Sequence, residues 1–448
     1  MDTGRRRRMA RVSSCATLVL VLGACSATES PRRADGSRPS ASRSATTTRD
    51  ASPPATPGAD PSNGHTQRPH RVATPTARPT VGRTTPASAP PSSGRPSAHD
   101  IALRTLGRLG LDQIVGQLMM VGIPATGTSG TVLAELADHH VGNVMLTGRS
   151  ARGVQATAGL VRDVAGRLAG PATSHVPLLV ATDQEGGLVQ VLSGPGFDQI
   201  PDALSQGRWA PADLGSRARR WGGQLHAAGV NLDLAPVADV VPPWPDPSLN
   251  GPIGHFDREF GSTPAVVESH ARAFACGMSA AGVTTTVKHF PGLGHVRGNT
   301  DSTSGVVDHV IGPGDPGLEV FAHVAAACGS LVMTSTADYA RLDPRHPASF
   351  SPTVVRHLLR RDLGFPGVVV SDDLGIARQV QRWAPGERAR MFVSAGGDLV
   401  LTVEPGDVPA MTASLVAAAR DSATMRARVR ESALRVLTLK ARLGLLGS

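Results

Sequence analysis

VTTTVKHFPGLG, residues 283–294, opens as a β-branched run and closes in a Pro/Gly turn that carries a Lys-His pair. β-Branched side chains suit a pleated strand. Tight backbone bearing charge directly after a strand reads as an active-site loop. The same grammar recurs along the chain. The apolar or β-branched runs are LMMVGIP (118–124), VGNVMLTG (141–148), PLLVATD (177–183) and VNLDLAP (230–236), then VTTTVKHF (283–290), SLVMTST (330–336), GVVVSDD (367–373) and DLVLTV (398–403). Helix-like segments such as AVVESHARAFACGMSAAG and SPTVVRHLLRRDLG lie between several of them. Strand–helix alternation argues for a parallel sheet covered by helices. Eight such strands predict an α/β fold, a (β/α)8 TIM barrel, with an open doubly wound sheet as the alternative.

Charged residues collect where such a barrel uses them. Asp183, Asp233, Lys288, His289 and Asp372 all fall at or near the C-terminal end of a predicted strand, the catalytic face of these barrels. Each alone could be a structural ion-pair partner; their shared position argues for a site.

The first 98 residues differ in kind from the rest. They hold 15 Arg and 5 Asp+Glu, which leaves 30 Lys+Arg and 31 Asp+Glu for residues 99–448 of a chain with formal net charge +9. The excess positive charge belongs to the N-terminal segment, so nucleic-acid binding by the folded part is excluded as an expectation. Arg5 to Arg8 and Arg11 precede a short apolar stretch, Cys15 to Leu22, and then Leu22-Gly23-Ala24-Cys25. That order suits a signal peptide over residues 1–24 better than a membrane span. The ending resembles a bacterial lipobox, which implies lipidation of Cys25 and attachment to the membrane from the extracytoplasmic side. Residues 25–98 are rich in Ser, Thr, Pro, Ala and Arg and poor in large apolar side chains. They cannot bury enough surface to offset ordering entropy, and read as a disordered linker. The barrel is expected over 99–448.

Two cysteines remain for that domain, Cys276 in AFACG and Cys328 in AAACG, each placed before a Gly at a helix end. Neighbouring helix axes lie about 8–10 Å apart, long for a bridge. Two buried thiols are the expectation, with a disulfide as the alternative. No Cys/His cluster with metal-ligand spacing is present.

The motifs themselves are specific. ATDQEGGLVQ (181–190) sets an Asp, a Glu and two glycines after a strand; Asp183 could accept hydrogen bonds from vicinal sugar hydroxyls. GVNLDLAPVADV (229–240) brings Asp233 and Asp239, FDREFG (256–261) brings Arg258, and FPGVVVSDDLG (365–375) brings adjacent Asp372 and Asp373. Alternation along a strand lets one of that last pair face the mouth.

In order and spacing these blocks resemble the single-domain bacterial β-N-acetylglucosaminidases of glycoside hydrolase family 3, over about residues 112–445. The family's DQEGGRV stands here as DQEGGLV, its GVNxDFAPVxDV as GVNLDLAPVADV, its KHFPGHG as KHFPGLG, and its SDDL is unchanged. The resemblance implies a retaining hydrolase of terminal β-linked N-acetylhexosamine, acting on a cell-wall glycan or muropeptide without metal or cofactor; a monomer is expected. Asp372 would be the nucleophile. Asp183, Lys288 and His289 would bind sugar hydroxyls, with Arg258 in support, while Asp373 braces the loop.

The departures fall in one loop. The family's DSH motif supplies its general acid/base His. Without a gap, Asn299-Thr300-Asp301 aligns with it and Asp301 takes the acid position. With two residues inserted, Asp301-Ser302-Thr303 aligns and a non-titrating Thr303 stands there. The second register also matches the residues that follow, and His295 is a third candidate. Leu188 replaces an Arg. Three readings follow: a glycosidase with an altered acid/base, a degenerate barrel that binds glycans without cleaving them, and a phosphorylase-like variant that transfers to an ionised acceptor.

Overall fold

The computed structural model describes residues 96–447. The predicted signal peptide, Cys25 and the linker up to residue 95 lie outside the described residues. Ser97 caps the first helix, Ala98–Gly107, by accepting from the Asp100 N–H at 3.1 Å, and Asp100 returns the bond to the Ser97 N–H. This reciprocal cap fixes where the helix starts, one residue ahead of the expected boundary at 99.

All eight predicted strands form. They are β1 Met119–Pro124, β2 Asn143–Thr147, β3 Leu179–Thr182, β4 Leu232–Asp233, β5 Thr284–Phe290, β6 Leu331–Thr334, β7 Val369–Ser371 and β8 Val400–Thr402. Each pairs in parallel with its sequence neighbour or, for β1, also with β8. A parallel bridge between Val370 and Leu399 joins the two ends of the sheet and closes the barrel. The open-sheet alternative is thereby ruled out.

Seven helical layers follow the strands: α1 Gly130–Asp138, α2 Gly153–Leu168, α3 Pro211–Ala227, α4 Pro264–Ser279, α5 Pro316–Cys328, the π-helical α6 Thr353–Asp362 and α7 Pro385–Ala395. After β8 come α8 Val408–Asp421 and α9 Ala423–Arg442. Both faces of the sheet are covered, which is why β5 is buried at all seven positions and reads as an unbroken run rather than an alternating one. Inside the barrel, Met120, Met145, Leu232, Met333 and Leu401 pack against Val436 and Leu439 of α9. The last helix therefore plugs the end opposite the mouth.

That plug carries a lysine. Lys440 is fully buried, and its Nζ donates to Gln117 Oε1 at 2.7 Å and to the Gly142 carbonyl at 2.9 Å. Burial holds its amine well below the ordinary lysine range. Nearby, Asp398 receives Arg360, Arg428 and Arg435 at 2.6, 2.7 and 3.1 Å, which ties α6 and α9 to the base of β8.

The cysteine expectation is corrected. Cys276 and Cys328 form a disulfide between α4 and α5 with Cα atoms 5.2 Å apart. Helix axes are the wrong ruler here: a Cα stands about 2.3 Å off its axis, so two facing Cα atoms sit several ångströms closer than the axes do. Cys276 also lies within α4 rather than at its end, since the helix runs on to Ser279; Cys328 ends α5, followed by Gly329 at φ 71°.

Candidate active site

The loops after β3, β4, β5 and β7 assemble one charged cluster at the mouth. After β3 the chain makes a small hairpin, Gln184–Gly186 against Val189–Gln190. Gly186 has φ 106°, and a Cβ there would stand 2.1 Å from the Pro201 carbonyl, so glycine is required. The hairpin presents Asp183 and Glu185 to Lys288 on β5. Lys288 Nζ lies 2.7 Å from Asp183 Oδ1 and 2.6 Å from Glu185 Oε1. Arg258, from the long β4 loop, grips Glu185 with Nε at 2.8 Å and an Nη at 2.7 Å, and donates its other Nη to the Pro252 carbonyl.

Two cations and two carboxylates thus neutralise one another in a buried place. Burial alone would raise the Glu185 carboxyl, but Arg258 and then Lys288 outweigh it and hold it at about 2. Lys288 is likewise held above its ordinary value, burial being outweighed by Asp183 and Glu185. Both cations stay charged throughout the physiological range. Asp183 is the member left accessible, with 21% of its side chain exposed against 5% for Glu185. Asp233 lies deeper: its Oδ1 accepts the Gln184 N–H at 3.0 Å, its Oδ2 has no partner, and burial pushes its carboxyl well above the usual range.

His289 is oriented from behind. Its Nδ1 meets Asp239 Oδ2 at 2.8 Å, and the other Asp239 oxygen accepts the Leu293 N–H at 2.7 Å. A carboxylate at Nδ1 requires the proton on that nitrogen. The β5–β6 ladder shifts register between Val287 and Phe290, where both mouth residues lie. Tyr339 holds the turn that follows by donating its hydroxyl to the Gly292 carbonyl at 2.7 Å.

At the end of β7, Asp372 and Asp373 part as alternation predicts. Asp372 is half-buried; its N–H donates to Thr334 O at 3.0 Å and its Oδ1 accepts the Asp373 N–H at 2.9 Å. Asp373 turns into the protein. Its Oδ1 accepts from Gly375 N–H at 2.8 Å and Val403 N–H at 3.0 Å, and its Oδ2 from Ile376 N–H at 3.1 Å. Burial pushes its carboxyl up to about 6 against those three donors. Bracing is its role.

In the loop after β5, His295 and Thr303 are both exposed. Thr303 sits on an arch, with its N–H on the Asn299 carbonyl at 2.8 Å. Asp301 is solvent-accessible, yet protein mass around its carboxyl pushes it up to about 7. Desolvation leads, followed by the charges of Asp372 and Asp373, with Arg258 and His289 opposing. The six predicted residues Asp183, Arg258, Lys288, His289, Asp301 and Asp372 therefore share one electrostatic environment. Glu185 and Asp239 are the two that sequence reasoning left without a role. The signal for Glu185 was its spacing, two residues beyond Asp183 across a hairpin. Leu188 is 62% exposed, and Arg149 from the β2 loop donates to its carbonyl.

A closed (β/α)8 barrel that gathers carboxylates and two cations at the C-terminal ends of its strands places its candidate site on the catalytic face of such barrels. Residues 110–439 match the glycosyl hydrolase family 3 N-terminal domain, and the chain belongs to that family. It is 33% identical over 339 residues to the β-hexosaminidase LpqI of Mycobacterium tuberculosis, covering 73% of this chain and 81% of that protein. Among solved structures, a β-N-acetylhexosaminidase from Beutenbergia cavernae superposes with TM-score 0.73 at 50% identity, over 74% of this chain and 98% of that one. A family 3 β-N-acetylglucosaminidase from Paenibacillus gives TM-score 0.67 at 29% identity, over 76% of this chain and 64% of that one.

Proposed function

We propose that the protein is a retaining β-N-acetylhexosaminidase that removes terminal N-acetylhexosamine from peptidoglycan fragments, with Asp372 as nucleophile and Asp301 as acid/base. The observation that carries this reading is that the Asp301 and Asp372 carboxyls share the mouth. Asp301 is pushed up to about 7 and Asp372 is one of the charges that push it. A carboxyl pushed up by burial and by a neighbouring carboxylate can hold a proton to donate near neutrality.

In the first step an Asp372 oxygen attacks the anomeric carbon as the glycosidic C–O bond breaks. Asp301 gives its proton to the departing oxygen, leaving a glycosyl ester on Asp372. In the second step water attacks that carbon, Asp301 takes the water's proton, and the ester bond breaks to restore the Asp372 carboxylate. The charges support this alternation. Esterified Asp372 no longer repels negative charge on Asp301, so Asp301 becomes more acidic at the moment it must act as a base. Asp183, His289 and Lys288 line the sugar's side, and Glu185 with Arg258 holds Lys288 in place.

The disulfide supports an extracytoplasmic setting, since such bonds persist in oxidising compartments. It is in keeping with export and anchoring through Cys25. The deciding experiment compares turnover of an activated aryl β-N-acetylglucosaminide with that of a natural muropeptide. Asp301→Ala is expected to lower kcat/KM for the muropeptide by about 10²–10⁴-fold and that for the aryl glycoside far less, because kcat/KM reports the first step and an aryl oxide departs without a proton. Intact muropeptide turnover in Asp301→Ala would remove Asp301 from the mechanism. Sugar binding without turnover of either substrate by the wild type would make the protein a glycan binder.

A further inference from the structure

The loop that carries Asp301 is tied at both ends to the loop that descends from Asp372. At one end, Gln379 N–H donates to Thr300 O and Arg378 N–H donates to Asp301 O, each at 3.1 Å. At the other, the Gln379 side chain pairs with the Val306 backbone in both directions. Its Oε1 accepts the Val306 N–H at 2.9 Å and its Nε2 donates to Val306 O at 3.2 Å. The second Nε2 hydrogen goes to Asp338 Oδ2 at 3.1 Å. Gln379 and Val306 are each only 5% exposed, whereas residues 301–305 between the tied ends are exposed.

A buried amide with both hydrogens and its oxygen engaged is costly to replace and holds its partners in one geometry. The foot at Asp301 is held by the backbone N–H groups of Arg378 and Gln379, the far end at Val306 by the Gln379 side chain, and the exposed crown, where Thr303 sits, spans between these two anchors. We propose that Gln379 is a positioning residue that fixes the Asp301 carboxyl opposite Asp372 by clamping the 300–306 arch to the β7 loop. This inference rests on the reading of Asp301 as acid/base. The charged groups facing Asp301 are Asp372 and Asp373 from the β7 loop, Arg258 from the β4 loop and His289 from β5. None of them is altered by a change at Gln379.

Gln379→Met keeps the length of the side chain and both backbone bonds but removes the three side-chain bonds. Misplacing a catalytic group by about 1 Å can cost about 10²-fold. The expected result is a fall in kcat of about 10- to 100-fold on a muropeptide or N-acetylglucosaminyl disaccharide, with KM little changed. The aryl glycoside should lose less than about threefold in kcat/KM, which reports the first step alone, and the alkaline limb of the disaccharide profile, set by Asp301, should shift. In an Asp301→Ala background the same substitution should add almost nothing, because both changes act through one group. Equal losses on the two substrates, or an undiminished effect in the Asp301→Ala background, would overturn the proposal and leave Gln379 a structural staple. If Asp301→Ala itself spares disaccharide turnover, the acid assignment fails instead, whatever Gln379→Met does. Should Gln379→Met not fold, Asp338→Ala removes one clamp bond alone and should give the same substrate-selective pattern, reduced to a few-fold; equal effects on both substrates there would count against the clamp.

Discussion

Glu185→Gln keeps the shape of a buried side chain and removes its charge from between Lys288 and Arg258. The Glu185 carboxyl is held at about 2, against an ordinary value of 4.5. A depressed carboxyl contributes stability that is complete above its unfolded value and is lost as pH falls through the folded one. At roughly 1.4 kcal/mol per pH unit, this contribution comes to about 3 kcal/mol. The figure agrees with the roughly 3–5 kcal/mol lost when one partner of a buried ion pair is removed. Urea unfolding of both proteins near pH 7 should show that gap as a lower midpoint for Glu185→Gln at similar slope. Repeating it at about pH 3.5, below the ordinary carboxyl value but above the folded one, should narrow the gap by about 1 kcal/mol. A gap below about 1 kcal/mol near neutrality, or one of the same size at both pH values, would refute the argument that Glu185 is held ionised by its two cations.

Asp372→Asn is expected to abolish most turnover, and a 2-fluoro glycoside should label Asp372; labelling of another carboxylate would reassign the nucleophile. Without Asp301, azide should speed release of a glycosyl-enzyme formed from an aryl glycoside, because it attacks without a base; no acceleration where that step limits would count against the assignment. Replacing Cys276 and Cys328 by Ala should destabilise the fold by up to about 4 kcal/mol, from the loop-closure entropy of a bridge spanning 52 residues; an unchanged unfolding midpoint would show the bridge to be idle. Cys25→Ser should move the protein from the membrane to the soluble extracytoplasmic fraction, and persistence in the membrane would exclude anchoring there.

The eight strands were legible because a sheet covered on both faces demands continuous apolar or β-branched runs, and few other elements in this chain satisfy that demand. The closed barrel was predicted from the count of eight strands alone; the pairing that closes it, between Val369–Ser371 and the residues before Val400, leaves no mark on side-chain type. Asp183, Lys288, His289 and Asp372 stood out by their places at strand ends, whereas Arg258 and Asp301 were named only through their motifs and the family resemblance. Glu185 and Asp239 act on other side chains, and nothing in their local sequence names the partner. Gln379 is less visible still, since a glutamine that pairs with backbone could serve any backbone. The choice between the two registers of the acid loop depends on which part of an arch is tied down, a tertiary fact.

The Cys276–Cys328 bridge encloses α4's last turn, β5, the Asp301 loop and α5 in one covalent ring. The exposed arch at 301–305, a natural entry point for a protease, lies inside that ring. A single cut there would open the chain without releasing either piece. The nicked molecule would keep both halves of its mouth in one particle and separate into two fragments only on reduction.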